Sequence, residues 1–240
     1  MVAPIQKLVH LSSKIFGSLT PDKITKDHLS PLIRAINDIK IEDVQFDPRE
    51  VEEQDAQSRL YNRRRAPVTY MHLFQDKSFS MSVFIVKSGG VLPLHDHPKM
   101  HGLLKVIYGT LKIISYTEVN KQVFPDDLLT THHPQTRSFY RNIKTVRRNN
   151  DLIVTDEDGC CILTPTDGNI HEIHSETQMA AFLDILAPPY ENDATCHYYQ
   201  ELPSSTSTDS TRWLLEIPQP NSYWCNTISY KGPSLDNLDV

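Results

Sequence analysis

From residue 68 onward, the sequence consists of short runs with the size and composition of β-strands, and this pattern constrains the fold more than any other feature. Each run is rich in β-branched, aromatic or aliphatic residues, and turn-forming residues separate it from the next. The runs are 68–74, 79–87, 103–108, 110–116, 160–164, 170–174, 179–186, 196–202 and 212–217. Because helix signals are nearly absent among them, they predict an all-β sandwich or barrel and argue against a βαβ sheet.

The first 45 residues have a helical pattern instead. Apolar residues between positions 5 and 16 fall at helical spacing, and Gly17 is a suitable stop. Helix starts are predicted at Thr20-Pro21 and at Ser30-Pro31, where a residue that can cap a helix precedes a proline. The acidic segment 47–55 is expected to be loop-like.

These patterns predict that the chain has two parts. Residues 1–60 form an N-terminal helical segment that packs on a barrel domain, residues 61–240. Within the barrel domain, the segment 119–158 is polar and has little periodicity, so we expect it to be a long insertion at the rim. Residues 204–211 are predicted to be a second, shorter loop.

Composition excludes several kinds of partner. A net charge of −6 without an extended basic region argues against nucleic acid. No apolar run approaches the roughly 20 residues that cross a bilayer, and the N-terminus lacks the apolar core of a secretion signal. The four cysteines include no CxxC pair, so we expect a reducing, cytoplasmic environment. Nothing in the sequence requires an oligomer, and we expect a monomer.

The segment that begins at Gly89-Gly90 carries two histidines separated by one residue, in the order His95-Asp96-His97. Side chains alternate between the two faces of a strand, so His95 and His97 project from one face and Asp96 from the other. Two neutral imidazoles on one face form half of a metal site, and the remaining ligand must come from elsewhere in the chain.

A second segment supplies that ligand and completes a known pair of motifs. The first motif has the spacing Gly89-x5-His95-x-His97-x11-Gly109, and the second is Gly159-x5-Pro165-x2-Gly168-x2-His171. Together they resemble the two motifs of the cupin superfamily, whose fold is a double-stranded β-helix, or jelly-roll barrel, with a metal between the motifs. The second motif departs by one residue, since most cupins have Pro-x-Gly.

Many cupins have a glutamate ligand five residues after the second histidine, but this sequence has Gly102 there. Three neutral imidazoles, from His95, His97 and His171, leave a divalent ion with its full charge of +2, which suits an anionic thiolate. A three-histidine site with open positions therefore favours a thiol substrate and O2 on Fe(II). His101 is the rival ligand, whereas His174 is expected to face away.

Several further stretches resemble the thiol dioxygenase family that includes the cysteamine dioxygenases and the plant cysteine oxidases. The resemblance extends from about residue 60 to residue 230. The segments that carry it are Pro93-Leu94-His95-Asp96-His97-Pro98, Met100-His101-Gly102, Lys105-Val106, Ala181-Phe182-Leu183-Asp184-Ile185-Leu186-Ala187-Pro188-Pro189-Tyr190 and Cys196-His197-Tyr198-Tyr199. The run around Asp184 is much more specific than the histidine triplet.

This resemblance implies that Fe(II) is held by the three histidines and that both atoms of O2 are added to a substrate sulfur, giving a sulfinic acid. The implied substrates are cysteamine, which gives hypotaurine, and proteins or peptides with an N-terminal cysteine. Oxidation of an N-terminal cysteine exposes a protein to the N-degron pathway, so the resemblance also implies a role in oxygen sensing.

Three further residues are candidates for the catalytic site. Asp184 stands in an otherwise apolar run, where an unpaired buried carboxylate is costly. It either caps a local backbone group or faces the site, and the resemblance favours a contact with the substrate ammonium. Cys196 and Tyr198 share a face of a predicted strand; they are either ordinary core residues or, as the resemblance implies, joined by a thioether crosslink with the Tyr198 hydroxyl near the substrate.

Two other functions remain open for the same residues. The three imidazoles could hold zinc in a hydrolase or hydratase, since a bound zinc ion lowers the pKa of water. Alternatively, the barrel could be a binding module without chemistry, because a fold does not determine a function.

Overall fold

The computed structural model describes residues 2–61, 64–119, 142–190, 195–203 and 210–236. Three α-helices come first, namely α1 (Pro4–Phe16), α2 (Lys26–Asn37) and α3 (Pro48–Leu60). The strands found in these ranges are β1 (Val68–Gln75), β2 (Ser80–Lys87), β3 (Val91–Asp96), β4 (His101–Tyr108), β5 (Thr110–Glu118), β6 (Ile143–Arg148), β7 (Leu152–Thr155), β8 (Cys161–Leu163), β9 (Ile170–Ser175), β10 (Met179–Ala187), β11 (Tyr198–Leu202), β12 (Thr211–Ile217) and β13 (Cys225–Thr227). All nine predicted strands are present, with ends that differ by a few residues.

The N-terminal helices agree only in part with the sequence prediction. Helix α1 ends at Phe16, as predicted. The predicted start at Ser30-Pro31 is wrong, because α2 begins earlier, after Thr25, whose hydroxyl accepts a hydrogen bond from the His28 amide. Pro31 therefore lies inside the helix. The predicted start at Thr20-Pro21 yields only a short 3₁₀ turn.

Helix α3 occupies most of the acidic segment that was predicted to be loop-like, so that prediction is wrong. The Asp47 carboxylate caps the helix by accepting from the Arg49 amide, and Pro48 is the first helical residue. An apolar stripe is missing because the buried face carries an ion pair instead: Asp55 Oδ1 lies 2.6 Å from Lys87 Nζ. A pattern of apolar residues cannot reveal a helix that is anchored in this way.

The strands form two sheets that face each other. One sheet has the order β13-β1-β2-β10-β4-β8, and the other has the order β6-β12-β11-β3-β9-β5-β7. Consecutive strands alternate between the sheets from β2 to β5 and again from β7 to β10, so the central strands are ordered β2-β10-β4-β8 against β3-β9-β5-β7. This is the arrangement of a jelly roll, and it confirms the predicted cupin fold class.

Part of the predicted rim insertion belongs to the second sheet. Strand β6 pairs with β12 and β5, and β7 pairs with β5. Strand β6 carries three basic residues, Lys144, Arg147 and Arg148, and β7 has only four residues, so neither shows a clear alternation. Residues 120–141 of the insertion and residues 204–209 of the second loop lie outside the described part of the chain. The division into residues 1–60 and 61–240 stays a prediction.

Two apolar cores hold these layers together. The first lies between the helices and the outer face of the β2 sheet, where Leu8 and Ile36 pack in one cluster with Ile85 and Leu183. The second lies between the two sheets and includes Phe182. Successive residues of β10 therefore face the helices and the barrel interior in turn. No described helix combines the length and the apolar character that a bilayer span requires.

Candidate metal centre

Three buried histidines meet in the barrel interior. Strand β3 supplies His95 and leads directly into His97, and β9 supplies His171. The antiparallel register of β3 and β9 places His95 directly opposite His171. The three side chains have exposures of 7%, 3% and 8%, and one ring nitrogen from each lies within 4.8 Å of the other two. Two sequence segments that lie 74 residues apart thus form one cluster.

All three imidazoles are neutral near pH 7. Burial lowers the pKa of His95, and it lowers the pKa of His97 and His171 well below the usual value, with neighbouring imidazoles adding to the effect. His95 Nδ1 donates to the Pro93 carbonyl at 2.7 Å, because a carbonyl oxygen can only accept. Its Nε2 therefore carries the lone pair that a metal needs.

Tyr190 orients His97 in a similar way. Its hydroxyl donates to the Asp96 carbonyl at 2.6 Å and lies 2.8 Å from His97 Nδ1. Because the hydroxyl proton is already used, the oxygen accepts from Nδ1–H, and His97 Nε2 is left with its lone pair. Outer hydrogen bonds of this kind fix the tautomer and the orientation of metal ligands.

The arrangement fits a divalent metal ion. His97 Nε2 and His171 Nε2 are 3.0 Å apart. Two imidazole nitrogens that bind one ion at about 2.1 Å, in perpendicular directions, lie about 3.0 Å apart. In the described part of the chain, the donor set consists of three neutral nitrogens and no carboxylate, so the ion would keep its charge of +2 and open positions toward the adjoining cavity.

That cavity has a volume of about 190 Å³ and lies beside the three imidazoles. Its wall is mainly apolar and aromatic, with Phe84, Leu92 and Phe182 among the lining residues. A few polar side chains also border it, namely Asp184, Tyr190, Cys196 and Tyr198. A small apolar cavity with a few polar groups beside a metal cluster is typical of a binding site for a small substrate.

Asp184 faces this cavity from β10. Its neighbours Leu183 and Ile185 point to the opposite face, toward the helices. Burial raises the pKa of the Asp184 carboxyl group to about 7. Among the described residues, this carboxyl group makes no hydrogen bond or ion pair. It therefore caps no described backbone group, which was one of the two roles expected from the sequence. The geometry leaves a carboxylate available for a cationic partner in the cavity.

Cys196 and Tyr198 border the cavity on another side. Tyr198 begins β11 and is paired with His95, with the two ring centroids 6.5 Å apart. Cys196 lies just before the strand rather than inside it, although both side chains still face the cavity. Burial raises the pKa of the Cys196 thiol to about 11.

Asp96 lies on the other face of β3, as the alternation predicted, and its role was not foreseen. Its buried carboxylate accepts from the His197 amide at 2.9 Å and from the Tyr199 hydroxyl at 2.8 Å. The Asp96 amide in turn donates to the His197 carbonyl. These bonds fix the segment that carries Cys196 and Tyr198 to the strand that carries His95 and leads into His97.

The rival histidines lie elsewhere. His101 points toward the N-terminal helices, where its Nε2 donates to the Pro21 carbonyl at 2.9 Å. His174 Nε2 lies 3.0 Å from Glu172 Oε1 and faces away from the metal cluster, as expected. Gly102, at the position of the missing glutamate, lines the barrel interior against Leu163. Sequence reasoning missed Tyr190 as an orienting residue, since no spacing rule connects it to a metal ligand.

Comparison with known proteins identifies close relatives. Residues 35–235 match the model of the PCO_ADO family. A 2-aminoethanethiol dioxygenase of Mus musculus is 34% identical over 98% of this chain and 97% of its own length, and that of Homo sapiens is 38% identical over 87% and 82%. Plant cysteine oxidase 2 of Arabidopsis thaliana is 31% identical over 98% of this chain and 84% of its own length.

Proposed function

Because this chain belongs to the PCO_ADO family, we propose that it is a thiol dioxygenase that adds both atoms of O2 to the sulfur of an aminothiol. The observation that carries the proposal is the cluster of three neutral imidazoles beside a small cavity, which also contains a carboxylate without a partner among the described residues. In the reaction, R–SH and O2 give R–SO2H, so sulfur loses four electrons and the two oxygen atoms accept them.

We propose Fe(II) as the metal. Three neutral imidazoles suit several divalent ions, so the choice of iron depends on the reaction rather than on the ligands alone. A ferrous ion in this site would supply the electronic means to activate O2 and would favour the thiolate form of the substrate. His95, His97 and His171 would hold it, and Tyr190 would keep His97 in the required tautomer.

The proposed substrates are cysteamine and the N-terminal cysteine of peptides or proteins. Both carry an amine two carbons away from a thiol. We propose that Asp184 binds the ammonium group, because its carboxylate borders the cavity and lacks a charged partner in the described part of the chain. With the amine held there, the thiol is directed toward the histidine cluster. Oxidation of protein N-termini would connect the enzyme to oxygen sensing through the N-degron pathway.

Tyr198 and Cys196 are proposed to complete the catalytic site. The Tyr198 ring lies beside His95, which favours a role for its hydroxyl as a hydrogen-bond partner of the substrate or of the reacting oxygen. The Cys196 thiol borders the same cavity. A thioether crosslink between the two residues is part of this proposal.

We also propose a monomer in the cytoplasm, since all three metal ligands come from one chain and the four cysteines are unpaired.

An oxygen-uptake experiment tests the proposed reaction. The protein is loaded anaerobically with Fe(II), mixed with cysteamine and exposed to O2, and sulfinic acid is measured alongside the O2 consumed. One sulfinic acid per O2 is expected, with none formed by the zinc-loaded protein or by the His171→Ala variant. A hydrolase, a hydratase or a binding module would consume no O2 with a thiol, and that result would refute the proposal.

Competition between the two substrate classes tests which one the enzyme prefers. A peptide with an N-terminal cysteine and cysteamine are supplied together, and the two sulfinic acids are measured separately. A control peptide whose N-terminal amine is acetylated keeps the thiol but has no ammonium group. It should not be oxidised if Asp184 acts as proposed.

A further inference from the structure

The barrel contains a second cavity that reaches the same site from another direction. It has a volume of about 60 Å³, and two of its lining residues, His171 and Asp184, also line the main cavity. It lies at the open side of the jelly roll, where β7 and β8 are the last strands of their sheets. The metal centre is therefore bordered by two separate cavities that meet at one ligand and one carboxylate.

The second cavity is lined mainly by apolar side chains between its mouth and the two residues that it shares with the main cavity. Two side chains at the mouth are partly exposed, Leu152 at 44% and Ile162 at 38%. Leu104, Ile113 and Leu163 line the wall further in. Apart from His171 and Asp184, its described lining residues with polar side-chain groups are Ser115 and Cys161. Such a lining disfavours a charged molecule, because an ion loses its hydration there without compensation.

Gly102 explains why this space has its present shape. A Cβ atom at position 102 would lie 2.8 Å from Leu163 Cγ and 3.0 Å or slightly more from both Leu163 methyl groups. Any side chain at this position would collide with Leu163, so one of the two would have to shift within the space that both residues line. Position 102 is also where many cupins have a glutamate ligand. The glycine at this position therefore leaves the metal site without that carboxylate and also leaves this cavity open.

We propose that the second cavity is a separate route by which O2 reaches the metal centre while the aminothiol occupies the main cavity. This inference rests on the proposed thiol dioxygenase function. An aminothiol held between Asp184 and the histidines would fill much of the main cavity and obstruct it for a second reactant. O2 is small and apolar, so it can cross a narrow apolar passage that excludes an ammonium ion.

Tryptophan substitutions at the mouth test this route. Leu152→Trp and Ile162→Trp place a large ring over the entrance, at positions that already tolerate contact with solvent. Ile153→Trp is the matched control, because Ile153 is the neighbouring residue, is 59% exposed and does not line the cavity. For the two mouth variants, we expect the KM for O2 to rise about threefold or more, with the KM for cysteamine and the kcat at saturating O2 unchanged.

Xenon provides a readout that does not depend on activity, because small apolar cavities bind this gas. Crystals of the metal-free protein under xenon pressure should show the gas between β7 and β8 in the wild type and in Ile153→Trp, and less of it in the mouth variants. Failure of the proposed function would be seen in the wild type, which would consume no O2 with thiols. The separate route would be refuted if the wild type is active and the mouth variants exclude xenon but still have the wild-type KM for O2. It would equally be refuted by a wild type that takes up no xenon there.

Discussion

Tyr190 and His97 are joined by a hydrogen bond of 2.8 Å between the tyrosine hydroxyl and the imidazole Nδ1. Since the same hydroxyl donates to the Asp96 carbonyl, the direction of the bond is determined, and with it the tautomer of His97. This relationship connects the segment that follows β10 to the metal centre. It also shows how a residue without any metal-binding pattern can control a ligand.

Replacing Tyr190 with phenylalanine should weaken metal binding without removing a ligand. Loss of the hydroxyl leaves His97 free to adopt the other tautomer, so we expect the affinity for a divalent metal to fall about 10- to 100-fold. Competition with a coloured chelator measures this change. Tyr116→Phe is the control, because its hydroxyl donates to Glu201 at 2.6 Å, away from the metal ligands. Equal affinities in the two variants would contradict the orienting role.

The pKa of about 7 at Asp184 predicts how the preference for amines depends on pH. Below this pKa the carboxyl group is neutral and cannot pair with an ammonium group, whereas above it the carboxylate can. We expect the ratio of kcat/KM for cysteamine to kcat/KM for 2-mercaptoethanol to rise as the pH passes about 7. Near pH 7 both thiols are mostly protonated, so their thiolate fractions rise in proportion and the ratio cancels this effect. In Asp184→Asn, the ratio should be low and independent of pH.

The same raised pKa predicts a change in stability. The folded protein retains a proton on Asp184 that the unfolded chain releases near pH 3.8, so this group lowers the free energy of unfolding as the pH rises from about 4 to about 7. The separation of the two pKa values corresponds to roughly 4 kcal/mol at most. Asp184→Asn removes this term. In urea denaturation of the metal-free protein, the variant should gain stability relative to the wild type between pH 5 and pH 8.

The buried histidines act in the opposite direction, since their lowered pKa values make the wild type more stable as the pH rises through the usual histidine range. For this reason the difference between the variant and the wild type, rather than either curve alone, tests Asp184. A difference that stays constant between pH 5 and pH 8 would show that the folded protein does not hold the extra proton.

Asp96 should be important for stability although it faces away from the metal. Its carboxylate, 3% exposed, accepts hydrogen bonds from His197 and Tyr199, and bonds to a buried charged group contribute about 1.5–3 kcal/mol each. We expect Asp96→Asn to lower the free energy of unfolding by about 2 kcal/mol or more. Asp151→Asn is the control, because its ion pair with Arg148 is partly exposed and should contribute less than about 1 kcal/mol. Similar losses in both variants would contradict this role.

The cluster of three histidines could be predicted from sequence because its geometry is local in each half of the cluster. The alternation of a strand places His95 and His97 on one face, and the second motif places His171 near the start of a predicted strand. What the sequence could not show was the pairing register of β3 with β9, which puts His95 opposite His171. That register depends on contacts between residues far apart in the chain.

Other features escaped prediction for related reasons. Helix α3 is anchored by the ion pair of Asp55 with Lys87, so it lacks the apolar periodicity by which helices are recognised. Tyr190 reaches His97 across 93 residues. The second cavity depends on the distance between two edge strands, and no residue type marks an empty space. Most patterns within one element were thus predictable, whereas the ion pairs, hydrogen bonds and spaces between elements were not.

The neighbouring side chains of Cys196 and Tyr198 lead to a final prediction about a covalent bond. In the crosslink, a C–S bond forms between Cys196 Sγ and the ring carbon next to the Tyr198 hydroxyl, while an S–H and a C–H bond are lost. The two hydrogens and two electrons pass to O2. We expect the peptide that spans both residues to lose the mass of two hydrogen atoms only after the protein has been exposed to iron, a thiol and O2.

Three variants make this mass measurement specific. Cys196→Ser and Tyr198→Phe each remove one of the proposed partners, although phenylalanine keeps the ring, so the loss of two hydrogens should vanish in both. Cys225→Ser is the matched control. Cys225 Sγ lies 3.4 Å from the Tyr223 hydroxyl and forms a second cysteine–tyrosine pair, but Cys225 belongs to β13, which pairs with β1. This variant should leave the mass change intact. An unchanged mass in fully active wild-type enzyme would mean that Cys196 and Tyr198 act, if at all, as separate side chains.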